Sequence, residues 1–176
     1  MKPDLARAYN NRGGAYKDKG DFDSATSDYN SAIQLRPDLA ETYYNRGIIY
    51  KAEGDFDNAI DDYTTAIQFQ PDYAAAYNNR GNAYREKSDF DSAIDGYNTT
   101  IQLQPDDPYA YYNYAIVWLH REEWDKAKSD LTTAKNMEMD IIASFRNDYV
   151  SVEGFEQKTG IQLPPDIVSL LTSSWA

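Results

Sequence analysis

Apolar residues recur at spacings of three and four along most of this chain, in runs separated by short polar turns. Tyr9, Gly13 and Tyr16 form the first stripe, and spacing of this kind predicts one face of an α-helix. The turn at 20–23 and Pro37 bound a second run, so the pattern predicts two helices joined as a hairpin. The second stripe consists of Phe22, Ala25, Tyr29, Ala32 and Leu35.

The hairpin pattern repeats along the chain with a period of 34 residues. The string R-P-D-L-A at 36–40 returns as Q-P-D-Y-A at 70–74, and Y-N-N-R-G at 9–13 returns unchanged at 77–81. A fixed period of this length is the signature of a stacked repeat architecture. The predicted organisation is an array over residues 1–141, with repeats at 6–39, 40–73, 74–107 and 108–141, and a C-terminal helical tail at 142–176.

The repeat resembles the tetratricopeptide repeat (TPR), through the spacing of its Tyr, Gly, Tyr, Ala, Tyr, Ala and Pro positions (Tyr9, Gly13, Tyr16, Ala25, Tyr29, Ala32 and Pro37). The resemblance implies an all-α fold, a right-handed superhelical solenoid of antiparallel helix pairs with capping helices at its C-terminus. It also implies a concave groove, lined by the first helix of each repeat, that holds a peptide or helix of a partner protein. Folds of this kind serve many partners, so the partner stays unidentified.

Composition excludes several kinds of chemistry. The net charge of −12 argues against nucleic acid as a partner, because phosphate recognition needs surplus Lys and Arg. There is no cysteine and a single histidine, His120, so we expect no metal site, no cofactor and no enzymatic activity. No apolar run approaches 18 residues and the N-terminus lacks an apolar signal segment, so we expect a cytoplasmic protein without membrane insertion.

One asparagine recurs on the polar arc of all four first helices: Asn11, Asn45, Asn79 and Asn113. An Asn amide can pair with both polar groups of a peptide backbone, so these residues could form a ladder along the groove. Some members of the family use asparagine in this way. The alternative is that each amide bonds a neighbouring helix or only solvates the surface. The other predicted groove residues are Asn10, Tyr44, Asn78, Tyr112, Asn82, Lys17, Lys51 and Arg85.

Lys17, Lys51 and Arg85 form a basic row beside the asparagines, which could attract acidic side chains or a free carboxylate. The alternative is a solvated helix edge, paired locally with Asp18 or Glu86. Some relatives clamp a C-terminal carboxylate with two lysines and an arginine. The matching positions here carry Asn10, Ala75 and Asn79, so that clamp is disfavoured.

Arginines recur in the packing arc of the first helix, and aspartates in that of the second. An unpaired charge there would be costly. Pairing within a repeat would set Arg80 against Gly96, so we predict pairs between successive repeats, Asp28 with Arg46 and Asp62 with Arg80. This role is structural.

The tail predicts a helix starting near Asp140, a short helix between Ser151 and Gly160, and a last one from about Pro164. The tail is interpreted as a lid on the array, and the alternative is docking into a groove of its own or another copy. The function predicted is a protein–protein interaction scaffold. The alternative is a structural protein that self-assembles by end-to-end stacking or through the tail.

Overall fold

The computed structural model describes residues 3–172, and all the regular structure in that range is α-helical. The predicted all-α fold of antiparallel helix pairs is confirmed. Four pairs occupy the four repeats: α1 (Pro3–Asp18) and α2 (Phe22–Leu35), α3 (Ala40–Ala52) and α4 (Phe56–Phe69), α5 (Ala74–Glu86) and α6 (Phe90–Leu103), α7 (Pro108–His120) and α8 (Trp124–Asn136). The tail forms α9 (Ile141–Tyr149), α10 (Val152–Thr159) and α11 (Pro165–Thr172).

The chain divides into two compact units between Thr99 and Thr100, inside α6. In the first unit α1 packs against α2, α2 against α3, α3 against α4, and α4 against α5. The first helices also touch one another, α1 against α3 and α3 against α5. In the second unit α7 packs against α8, and α8 contacts the tail helices α9 and α11.

Aspartate side chains start the second helices of the first three repeats. Asp21, Asp55 and Asp89 each accept a hydrogen bond at 3.2 Å from the backbone N–H three residues further on. Such caps satisfy amides that have no partner inside the helix, and the negative charge suits the positive end of the helix dipole. The D-F-D motif that recurs at 21–23, 55–57 and 89–91 is therefore a helix start.

A glycine faces a tyrosine inside each of the first three hairpins. A Cβ atom on Gly13, Gly47 or Gly81 would lie 2.7–2.8 Å from Cε1 of a tyrosine on the facing helix. These tyrosines are Tyr29, Tyr63 and Tyr97, all fully buried. Only a residue without a side chain allows the helices to approach this closely. In the fourth repeat the matching positions hold Ala115 and Leu131, both buried.

The tail helices start and stop close to the predicted positions. Asp140 caps α9 by accepting from Ala143 N at 2.9 Å, and Ser151 caps α10 by accepting from Gly154 N at 3.1 Å. Gly160 ends α10 in the left-handed conformation, with φ of 76°. The apolar sides of the tail helices are buried, with Phe145, Phe155, Ile167 and Leu171 as their central residues.

The predicted pairing of arginines and aspartates between successive repeats is wrong. Arg12 binds Asp28 through Nε and Nη2, at 2.6 and 2.7 Å, and Arg46 binds Asp62 in the same way, at 2.8 and 2.7 Å. Each pair lies within one repeat, because the antiparallel hairpin sets residues 16 apart against each other. Asp28 therefore does not pair with Arg46, nor Asp62 with Arg80.

The contact between repeats uses the remaining arginine nitrogen and a neutral partner. Arg46 Nη1 donates to Asn30 at 2.5 Å, and Arg80 Nη1 donates to Thr64 at 3.2 Å, both on the second helix of the preceding repeat. Arg80 has Gly96 at the position of the carboxylate. Its Nε is buried and meets no acceptor among the described residues. The structure therefore leaves the Arg80 Nε donor unsatisfied, which the sequence-based prediction had treated as excluded.

Candidate peptide-binding surface of the first helices

Polar side chains join neighbouring first helices in the first unit. Asn45 Nδ2 donates to Asn10 Oδ1 at 3.3 Å, which connects α3 with α1. Asn79 Nδ2 donates to the Tyr44 hydroxyl at 3.1 Å, which connects α5 with α3. In both cases the partners are 35 residues apart, one repeat plus one residue. The asparagines therefore make contacts between helices as well as presenting polar surface.

Asn79 uses both ends of its amide within the chain. Besides Tyr44, its Nδ2 donates to the Ala75 carbonyl oxygen at 3.0 Å. Its Oδ1 accepts a hydrogen bond from Lys51 Nζ, also at 3.0 Å. The amide is half-buried, so it keeps some surface accessible to a ligand. A ligand that pairs with Asn79 would exchange contacts that already exist, and it would meet Lys51 at the same point.

Lys51 lies beside a second cation. Burial lowers the pKa of the Lys51 ammonium, and the positive charge of Arg85 lowers this pKa further. Arg85 Nη2 donates to Glu86 Oε1 at 3.1 Å. The Glu86 carboxylate offsets one of these two cations, so the group keeps one net positive charge on a strongly acidic chain. An acidic group of a ligand would be attracted to this point.

The tyrosine that accepts from Asn79 is held by aromatic packing. The ring of Tyr44 lies 4.8 Å from that of Tyr73 and 5.9 Å from that of Tyr63, measured between centroids. Burial raises the pKa of the Tyr44 hydroxyl, so the group stays neutral and can accept the amide proton. Sequence reasoning missed Tyr73. The signal available was an aromatic residue just before α5, where the preceding repeat has Leu39.

We call the group of Tyr44, Lys51, Asn79 and Arg85 the Lys51 cluster. It is the part of the predicted groove that the structure brings together, across α3 and α5. The membership of the cluster was predictable from the sequence, since all four residues are among the predicted groove residues. Their mutual contacts were not predicted.

Other predicted groove residues in the first unit lie elsewhere. Asn10 is only 3% exposed, so it presents almost no surface to a ligand. Asn82 accepts a hydrogen bond from the Tyr97 hydroxyl at 2.8 Å and so faces the second helix of its own repeat. Asn11 is exposed, and Lys17 Nζ lies 3.9 Å from Asp18, as the local-pair alternative described. Asn78 is half-buried on α5.

The two predicted groove residues of the fourth repeat belong to the second unit. Tyr112 is 3% exposed and donates its hydroxyl proton to Asp148 of α9 at 2.9 Å. Its predicted place in an open groove is thus occupied by the tail. Asn113 is half-buried on α7.

Nothing in residues 3–172 suggests a metal centre, since no three His, Asp or Glu side chains converge there. His120 Nε2 lies 2.9 Å from the Tyr149 hydroxyl, and its ring packs edge-on against Phe155. Over the same residues, every helix is too short or too polar to cross a membrane.

The helix pairs, their 34-residue period and the polar face of the first helices define the class: an all-α helical-repeat protein. Sequence comparison matches the tetratricopeptide repeat family at 40–73 and 62–95, and a TPR repeat model at 13–54 and 81–118. The chain belongs to the tetratricopeptide repeat family, whose domains generally serve as protein–protein interaction modules.

Solved structures give the same assignment. A crystal structure of MamA is 26% identical, with a TM-score of 0.73 over 77% of this chain and 80% of that one. The Arabidopsis OM64 TPR domain is 22% identical, with a TM-score of 0.66 over 68% and 99%. The first TPR domain of Spaghetti (RPAP3), bound to the HSP90 peptide SRMEEVD, is 22% identical, with a TM-score of 0.65 over 66% and 93%. No curated protein matches the chain.

Proposed function

We propose that this protein is an interaction scaffold that binds an acidic peptide segment of a partner along the first helices of its repeats. The observation that carries the proposal is the Lys51 cluster, where an amide and two cations on adjacent helices share one partly exposed surface. The fold supports it, since the family generally binds proteins. The Spaghetti (RPAP3) domain, which is bound to the acidic HSP90 peptide SRMEEVD, further supports the proposal.

The chemistry of binding follows from the contacts. An extended peptide would offer backbone N–H and C=O groups to Asn45 and Asn79, and these would replace the bonds to Asn10, Tyr44 and Lys51. The Lys51 ammonium, released from Asn79, would then pair with an acidic side chain of the peptide. The net charge of −12 opposes an acidic ligand at long range, so the attraction must be local.

The ligand group that we propose is an acidic side chain within a chain, not a terminal carboxylate. A terminal clamp would need cations at Asn10, Ala75 and Asn79, and these positions are neutral. An amide that bonds the peptide backbone, as in Asn79, and a neighbouring cation, as in Lys51, would together select acidic residues. They would not require the C-terminus of the peptide.

A peptide array tests the proposal. Arrayed acidic peptides and their amidated counterparts, with Glu replaced by Gln, are probed with the wild type, with Asn45→Ala/Asn79→Ala and with Lys51→Met. We expect the wild type to prefer acidic peptides, the double variant to lose capture, and Lys51→Met to lose the preference. Asn98→Ala, on the exposed side of α6, is the matched control. Circular dichroism must show native helix content for each variant.

Equal capture by the wild type and Asn45→Ala/Asn79→Ala, with both folded, would remove the asparagines from the binding surface. Equal capture of Glu and Gln peptides would remove the role of the Lys51 cluster. Either result contradicts the proposal as stated.

Self-assembly is the second candidate, and one feature of α1 favours it. Leu5, Ala8, Tyr9 and Arg12 line an open cavity of about 190 Å³. On α3 the matching stripe is covered by the preceding repeat, so the Arg46 side chain is 19% exposed while that of Arg12 is 59% exposed. A second copy could cover the α1 stripe. Multi-angle light scattering checks this, because a 20.1 kDa monomer across micromolar concentrations would contradict it.

A further inference from the structure

The fourth repeat keeps the aspartate of the arginine pair but has lost the arginine. Asp130 lies 34 residues after Gly96 and 68 after Asp62, so it has the same place on its helix as Asp62. The position of Arg46 is taken by Tyr114. The Asp130 carboxylate accepts one hydrogen bond through Oδ2, from Trp118 Nε1 at 3.1 Å. Within residues 3–172, a carboxylate that holds two arginine nitrogens in repeats one and two thus has a single neutral donor in repeat four.

An open cleft accompanies the substitution. Its volume is about 500 Å³, and it is lined by Tyr114, Trp118, Asp125, Lys126, Ser129 and Asp130. The corresponding cleft of the first repeat has about 360 Å³ and is lined by the residues 102 positions earlier. In that cleft Arg12 stands where Tyr114 stands in the fourth repeat. The larger cleft is therefore the same feature of the fold without its arginine.

In the second repeat the arginine lies between two aromatic rings, of which that of Tyr43 is the one contacted at the same position in the first and third repeats. The Arg46 guanidinium lies 5.7 Å above the ring of Tyr50 while it binds Asp62. In the fourth repeat the place of Tyr50 is held by Trp118, the aromatic residue that binds cations best. Lys126 Nζ already lies 4.3 Å above this ring. Trp118 is only 8% exposed and Lys126 lies over its ring, so a ligand cation would have to take the place of Lys126 there.

We propose that this cleft binds the guanidinium of an arginine side chain from a partner protein, with Asp130 as the bidentate acceptor and Trp118 as the stacking surface. The chain's own Arg46 shows the geometry, since it occupies the equivalent place with both contacts. Arginine fits better than lysine, because a planar guanidinium can bind a carboxylate with two bonds and stack at once. The site is independent of the Lys51 cluster, and it lies wholly in the second unit.

Charge supports a cationic ligand. Burial raises the pKa of Asp130 to about 6, so at neutral pH the carboxylate is ionised in surroundings that disfavour its charge. An incoming guanidinium would relieve that cost. Lys126 can leave the Trp118 ring for the Glu123 carboxylate, because its side chain is half-exposed and its Nζ lies 3.5 Å from Glu123 Oε2.

Titration with N-acetyl-arginine amide tests the inference directly. The readout is the indole N–H signal of Trp118 in ¹⁵N-correlated NMR spectra, assigned with Trp118→Phe. N-acetyl-citrulline amide keeps the shape of the ligand without its charge, and N-acetyl-lysine amide keeps the charge without the planar fork. We expect saturable shifts with the arginine compound, and binding weaker by about tenfold or more with the other two.

Two variants test whether the arginine compound binds specifically in this cleft. Asp130→Asn keeps the shape of the cleft and should weaken the arginine compound by about tenfold or more, the range expected for hydrogen bonds to a charged group. Tyr114→Arg should abolish binding, because it restores an internal pair with Asp130 and fills the cleft. Equal binding of the arginine and citrulline compounds, or an unmoved Trp118 signal up to the solubility limit, would overturn the inference. So would undiminished binding by folded Asp130→Asn.

Discussion

The guanidinium of Arg46 donates two hydrogen bonds to the carboxylate of Asp62, at 2.8 Å from Nε and 2.7 Å from Nη2. This pair joins the two helices of the second repeat beside the contact between Gly47 and Tyr63. The bonds to Asp62 raise the pKa of Arg46, so the guanidinium stays protonated at all ordinary pH values. With Asn30 on its third side, Arg46 also holds the preceding repeat. One side chain thus contributes to packing both within and between repeats.

Removing the carboxylate should destabilise the protein strongly. In Asp62→Ala the Arg46 charge loses its partner in a largely buried place, and breaking such a pair typically costs about 3–5 kcal/mol. Urea denaturation followed by circular dichroism measures the change in the free energy of unfolding. Arg36→Gln is the control, because Arg36 and Asp38 form an exposed pair at 3.4 Å, which contributes at most about 1 kcal/mol. A similar cost for both variants would contradict the structural role assigned to Arg46.

Two adjacent glycines in α1 should respond oppositely to alanine. In Gly13→Ala the new Cβ would meet Tyr29 Cε1 at 2.7 Å and the Ala25 carbonyl oxygen at 3.2 Å, and overpacking of this kind costs about 1–3 kcal/mol. In Gly14→Ala the nearest atom, the Tyr29 hydroxyl oxygen, lies at 4.0 Å. That variant should gain the helix propensity of alanine, about 0.5–1 kcal/mol. Thermal denaturation of the two variants gives the sign in each case.

The fourth repeat suggests how the clash can be relieved, since Ala115 there faces Leu131 instead of a tyrosine. We therefore expect Tyr29→Leu to make Gly13→Ala tolerable. In a double-mutant cycle the two changes together should cost less than the sum of the single changes, with a coupling of about 1 kcal/mol or more. Additive costs would mean that the alanine is limited by the Ala25 backbone instead of the tyrosine ring.

Stability should depend on pH through Asp130. Its pKa of about 6 in the folded protein exceeds the ordinary 3.8, so the folded state binds this proton more tightly than the unfolded chain. The resulting stabilisation is complete below pH 3.8 and is lost as the pH rises through 6. Asp130→Asn removes this titration but keeps an acceptor for Trp118. Its free energy of unfolding, relative to wild type, should increase between pH 3.8 and 6 and stay constant above. A flat difference across this range would contradict the prediction.

The hairpins could be predicted from the sequence because their signals are local and repeated. Each of the first three periods supplies a capping aspartate, a glycine opposite a tyrosine and a proline after the second helix, so three copies support one interpretation. The pairing of Arg46 was predicted wrongly because Arg80 faces Gly96 within its own repeat, and this was taken to exclude pairs inside any repeat. Arg80, whose Nε has no acceptor among the described residues, shows that this exclusion does not hold.

The candidate site was predictable only in part. Period and helical wheel placed Lys51, Asn79 and Arg85 on the predicted groove surface, but a wheel does not show which side chains meet across helices. The bond from Asn79 to Tyr44, one residue out of register with the repeat, depends on how far α5 is displaced along α3. The cleft of the fourth repeat had a visible signal as well, an aspartate retained where its arginine is lost. This signal can be interpreted as a vacant arginine site only when the arginines are known to pair within a repeat.

Apolar packing, not the ion pair with α8, should hold the tail in place. Phe155 is fully buried, with its ring centroid 4.9 Å from that of Tyr149, so Phe155→Ala should cost about 3–5 kcal/mol. Lys128 and Asp166 form a bridge of 2.7 Å in which both side chains are half-exposed, so Lys128→Ala should change stability little. Limited proteolysis distinguishes the two: cleavage within α9–α11 should accelerate in Phe155→Ala and not in Lys128→Ala. Equal acceleration in both would show that the ion pair carries the tail.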